Sequence, residues 1–134
     1  LKKAAFVSFA ACVLVGMASA GQQSVLDHYA AAATAADPGF GGFSANRGEA
    51  FFLAQANVNP DTASCSSCHT SNPRSPGKTR AGQRIEPMAV SVTPDRFSDL
   101  AKVEKWFRRN CDTVLKRECT AMEKGDFIAF MSSQ

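Results

Sequence analysis

Imidazole is scarce in this chain of 134 residues: His28 and His69 are its two histidines. A basic surplus is lacking as well. The formal charge of +3 includes Lys2 and Lys3, and past residue 20 the cations and carboxylates nearly cancel. That balance excludes a strongly basic nucleic-acid surface, and no nucleic acid is expected as a partner. No apolar run reaches the roughly 20 residues a membrane helix needs. There is no internal repeat, no low-complexity block and no sustained period-two alternation of the kind a half-buried strand shows.

What is present at the start has the three-part layout of a secretory signal. Lys2 and Lys3 are basic, Ala4–Met17 carry no charge, and Ala18-Ser19-Ala20 place small residues at a cleavage site. Residues 1–20 are therefore expected to be a signal peptide, with a retained anchor or lipidation at Cys12 as the alternatives. Residues 21–134 then form one exported domain, expected in the periplasm. Four cysteines remain in it, where disulfides can form.

The domain reads as all-α. A first helix is expected over 23–36, with Ser24 near its start and Asp37-Pro38-Gly39 ending it. His28 lies off its apolar stripe of Leu26, Tyr29, Ala30 and Ala33. A second helix is expected over 46–55, and a third over 99–109 with Ser98 as its cap. The last begins at Thr120, whose spacing to Glu123 is that of a capping box. Residues 57–64 and 70–98 are Pro-, Ser- and Gly-rich loops. Loops this long point to a bound group that they wrap.

Cys65-Ser66-Ser67-Cys68-His69 is the strongest signal. Two thiols three positions apart can add to the two vinyl groups on one edge of a haem, and the adjacent imidazole then lies under the iron. One covalently attached haem c per chain is the expected cofactor, with Cys65 and Cys68 as attachment points and His69 as proximal ligand. A thioredoxin-type dithiol would need a βαβ scaffold that the pattern lacks. A zinc site built with Cys111 and Cys119 would leave His69 without a role. In an oxidising compartment Cys111 and Cys119 are expected to pair as a disulfide, two free thiols being the alternative.

The opposite side of the iron is open to several readings. His28 is the other imidazole, and Met88, Met122 and Met131 are thioethers, with Met88 in a Pro87-containing loop the best placed. Asn110 continues the face of Val103, Trp106 and Phe107, three residues suited to packing against a haem plane. An Asn at a helix end is otherwise a common C-cap. Glu104, the nearest carboxylate, is expected to face water. Arg74, Lys78, Arg80 and Arg84 either neutralise haem propionates or form a solvated basic loop.

Several segments, in order, resemble the sphaeroides haem protein family of high-spin cytochromes c, related to cytochrome c-double-prime. They are Ser64–His69, Gly82–Pro87, Thr93–Phe97, Val103–Trp106, Arg109–Cys111, Arg117–Thr120 and the C-terminal helix. The resemblance covers residues 47–134. It implies a class I cytochrome c-like fold of four to five helices around one haem, with one disulfide. It also implies a labile distal ligand immediately before the first disulfide cysteine, which is Asn110 here. Cytochrome c-double-prime has His at that place, which this chain lacks, and Met88 stands where Leu would be expected. The function implied is electron transfer without enzymatic turnover, with a dihaem cytochrome c and a membrane cytochrome b as redox partners. The ferrous form is expected to bind oxygen, nitric oxide or carbon monoxide. A haem enzyme reducing oxygen or nitric oxide, and a non-catalytic gas-binding protein, are the alternatives.

Overall fold

The computed structural model describes residues 18–134, so the expected signal segment lies, apart from Ala18, Ser19 and Ala20, outside the described residues. The element order is α1 (Ala20–Ala36), α2 (Ala45–Leu53), a single 3-10 turn (Pro60–Thr62), α3 (Ser66–His69), β1 (Gly77–Lys78), β2 (Arg84–Ile85), α4 (Leu100–Leu115) and α5 (Ala121–Ser132). The fold is helical as expected. The one addition is a two-residue antiparallel pair, Gly77 opposite Ile85 and Lys78 opposite Arg84.

Helix α1 begins earlier than its apolar stripe suggested. Ser19 and Gln22 form a reciprocal capping box, each side chain accepting from the other's backbone N–H. Gln22 is buried, and its Nε2 donates to the carbonyls of Pro94 and Arg96 at 3.0 and 2.8 Å. Those long-range bonds draw the N-terminal turn onto the loop before α4, which no local pattern announces.

Helix α4 runs six residues beyond the expected end at 109. Residues 110–115 contain no Gly or Pro to stop it. It ends where Lys116 takes a left-handed conformation (φ 55°) and its N–H bonds back to the Asp112 carbonyl. Its N-cap is Asp99 rather than Ser98, the carboxylate accepting from the Lys102 N–H at 3.0 Å. Helix α5 starts as expected, with the Thr120–Glu123 capping box in place.

The core is a set of crossed aromatic rings. Phe52 of α2 meets Phe127 and Phe130 of α5, and Phe127 meets Phe107 of α4 and Phe97 of the preceding loop. Phe107 also stands edge-on to Tyr29 of α1. Helices α2 and α5 pack closely because Gly48 has no side chain: a Cβ there would lie 2.0 Å from the Asp126 carbonyl. The buried Asp126 carboxylate accepts from Ser44 N–H and from Arg47, so its charge is paired where α2 begins.

Candidate haem site

The Cys65–His69 segment folds as a short helical turn. Ser67 Oγ accepts from Ser64 N–H at 3.1 Å, and Ser64 Oγ lies 2.7 Å from Ser66 Oγ, so the serines between the cysteines tighten the turn's entry. Thr70 leaves it with φ 61°. Strand β1 packs against its back. A Cβ on Gly77 would meet the Cys68 carbonyl oxygen at 2.1 Å and the His69 Cα at 2.9 Å.

The electrostatics suit covalent attachment and ligation. Cys65 and Cys68 are both free and partly buried. Burial pushes the Cys65 thiol up to about 11, which keeps the proton that addition across a vinyl bond needs. Burial, with the Arg96 charge adding to it, pushes His69 down to about 4, so its imidazole is neutral with a lone pair to give. Its Nδ1 is buried without a hydrogen-bond partner among the described residues. Two protonated thiols and an uncommitted neutral imidazole fit a c-type haem. They do not fit the zinc reading, because Cys111 and Cys119 are joined as a disulfide. Among the described residues no group of three or more His, Cys, Asp or Glu side chains is placed to hold a metal ion.

Helix α4 carries the other side. Val103, Phe107, Cys111 and Val114 are buried. Trp106, 45% exposed, and Asn110, also exposed, stand one turn apart on a neighbouring stripe. Lys105 and Arg109 flank the indole, with Nζ 5.9 Å and Cζ 5.6 Å from its centroid. Lys116 is the C-cap, so the capping explanation for Asn110 falls.

Two solved structures share this fold. "Structure of oxidized SHP, an oxygen binding cytochrome c" superposes with TM-score 0.76 at 42% identity, over 84% of this chain and 96% of that one. Oxidized cytochrome c'' from Methylophilus methylotrophus gives 0.73 at 34% identity, over 83% and 92%. In sequence, cytochrome c-type protein SHP of Cereibacter sphaeroides is 45% identical over 127 residues, 91% of this chain and 93% of the relative. The chain belongs to the sphaeroides haem protein family. Cytochrome c'' of Methylophilus methylotrophus is a more distant relative, 33% identical over 130 residues, 96% of this chain and 89% of that protein. A family model described as a domain of unknown function, DUF1924, matches residues 38–131.

Like its relatives, this sphaeroides haem protein is a c-type cytochrome with haem c as its cofactor. The other distal candidates are differently placed. Met88 is buried in the core, its N–H bonded to the Pro73 carbonyl at 2.9 Å. Met131 is fully buried, and Met122 lines an apolar groove with Ala33 and Phe40. His28 is exposed on α1. Glu104 does not face water freely: it accepts from the Tyr29 hydroxyl at 2.5 Å and from Lys124 Nζ at 3.0 Å. Arg74, Lys78 and Arg80 are exposed, and Arg84 pairs with Glu86 at the surface. Sequence reasoning passed over Gly77 and Arg96. Each acts through residues distant in the chain, and neither stands in a local motif.

Proposed function

We propose that this protein is a periplasmic electron carrier whose reduced form also binds small diatomic molecules. The first twenty residues serve as its signal peptide. Cys65 and Cys68 carry the haem, each S–H adding across one vinyl C=C to leave a thioether. His69 is the proximal ligand and Asn110 the distal one. The haem supplies a one-electron couple and, once reduced, a coordination position for oxygen, nitric oxide or carbon monoxide.

Asn110 offers a neutral amide oxygen, a hard donor that suits ferric iron better than ferrous. Its grip loosens on reduction, while His69 holds in both states. Val103, Trp106 and Phe107 keep that face apolar. The observation that carries this reading is the position of Asn110. It is exposed in mid-helix beside Trp106, with the end of α4 served by Lys116. The oxygen binding named for the SHP structure supports it. A dihaem cytochrome c and a membrane cytochrome b are the proposed redox partners.

An oxidised-minus-reduced absorption spectrum, with and without carbon monoxide, tests the reading. A carbon monoxide adduct of the reduced protein is expected. A purely low-spin ferric spectrum with a Met–iron charge-transfer band, and no adduct, would replace it with a six-coordinate electron shuttle using Met88. The enzyme reading ranks second. It needs a proton donor on the Asn110 side, and Glu104, the α4 carboxylate nearest by sequence reading, is bonded to Tyr29 and Lys124. Steady reduction of oxygen or nitric oxide with a supplied donor would favour it.

A further inference from the structure

Behind the Cys65–His69 turn lies a cation with no carboxylate of its own. Arg96 is half-buried, its Nε donating to the Pro87 carbonyl at 3.0 Å and its Nη2 to the Glu86 carbonyl at 2.6 Å. Those two carbonyls directly follow β2. Ile85 of β2 pairs with Gly77, and Gly77 presses on the Cys68 carbonyl and the His69 Cα. One short strand pair therefore ties the guanidinium to the back of the haem-attachment turn. The Arg96 carbonyl in turn accepts from the buried Gln22 amide, which holds the backbone in place.

No salt bridge to Arg96 occurs among the described residues. Glu86, the adjacent acid, turns its carboxylate to Arg84 at 2.8 Å, and both of those side chains are largely exposed. Arginine stays protonated at any working pH. A half-buried charge is also screened by salt much less than a surface one. The charge reaches the imidazole, because it is among the causes that hold His69 neutral.

We propose that Arg96 is a fixed positive charge on the His69 side of the haem that raises its reduction potential. An electron added to the iron centre lowers its charge by one, so a nearby cation stabilises the reduced form. The inference rests on His69 being the proximal ligand. It adds the residue that decides how readily the centre accepts an electron. Arg96 acts through the electrostatics of the site and is a positioning residue.

The test is the midpoint potential of the holoprotein by spectroelectrochemistry, for the unaltered chain, Arg96→Lys, Arg96→Gln and Arg84→Gln. At the potential where the unaltered protein is half reduced, Arg96→Gln is expected to be about tenfold more oxidised than reduced, ~59 mV lower for one electron. Arg96→Lys keeps the charge without the paired carbonyl contacts, and is expected near the unaltered value. Arg84→Gln removes one surface charge and is expected to change little. Equal potentials for Arg96→Gln and the unaltered chain would overturn the proposal. So would Arg96→Lys falling as far as Arg96→Gln, because the contacts rather than the charge would then matter. Arg96→Met replaces Arg96→Gln if the latter does not fold. If neither neutral variant folds, Arg96 is a structural clamp and the proposal fails. The underlying reading fails separately, if His69→Ala holoprotein keeps the unaltered spectrum.

Discussion

Gly77 lies against Cys68 so closely that no side chain fits between them, since a Cβ would come within 2.1 Å of the Cys68 carbonyl oxygen. The obstacle is backbone on both sides, and neither can swing away as a flexible side chain could. Gly77→Ala is expected to push β1 off the Cys65–His69 turn, at about 1–3 kcal/mol of stability. Covalent haem yield should fall with it. Thermal melting and the pyridine haemochrome spectrum check this. Unchanged values for both would mean that β1 yields without disturbing the turn.

Tyr29 joins α1 to α4 through Glu104. Tyr29→Phe removes one buried hydrogen bond and is expected to cost about 1 kcal/mol at neutral pH. Burial, and then the Glu104 acceptor, hold the hydroxyl above its ordinary value of 10.0. A group raised in the folded state stabilises fully below its unfolded value and loses that contribution as pH rises beyond it. The stability gap between the unaltered protein and Tyr29→Phe should therefore narrow from pH 8 to pH 11 in urea unfolding. A constant gap would show that the hydroxyl does not titrate with unfolding.

Glu104 predicts the opposite end of the pH scale. Burial acts to raise its carboxyl, but hydrogen bonds from Tyr29 and Lys124 outweigh burial and hold it below the ordinary carboxylate range. Its contribution is present above the unfolded value and is lost as pH falls through the folded one. Glu104→Gln is expected to lose less stability than the unaltered chain between pH 6 and pH 3. Parallel acid-unfolding curves would refute the assignment.

Asn110→Ala is expected to leave the haem attached and to alter the ferric spectrum. Ligand entry should quicken about tenfold, equivalent to ~1.4 kcal/mol of lost competing hold. Stopped-flow mixing with carbon monoxide and a ferric absorption scan read both effects. An unaltered ferric spectrum would move the distal role to Met88.

The Cys111–Cys119 disulfide clamps the last turns of α4 to the start of α5, next to Asn110. Replacing both cysteines by serine is expected to cost about 2–3 kcal/mol. If the disulfide also steadies Asn110, the same variant should admit carbon monoxide faster. A stability loss without any kinetic change would confine the disulfide to a structural role.

The features legible in the sequence share one property: their partners lie within a helical turn or two. Thr120 and Glu123 cap α5 on each other, and Cys65, Cys68 and His69 face one cofactor because a short turn gathers them. Their hydrogen bonds and bond lengths close locally, so spacing is enough. Lys116 shows the limit of that reasoning. Its left-handed conformation ends α4, yet no Gly or Asn marks the position, and the helix was expected to stop at the better-marked Arg109-Asn110.

Residue order alone therefore settled that the chain is helical, where a haem can attach and where α5 begins. Tertiary structure decided what stands behind His69, because Gly77, Ile85, Pro87 and Arg96 meet only when two short strands pair and a loop folds over them. It also turned Glu104 toward Tyr29 and Lys124, and left Asn110 beside Trp106 in mid-helix. Such contacts depend on which surfaces come together in space, and spacing along the chain does not record that.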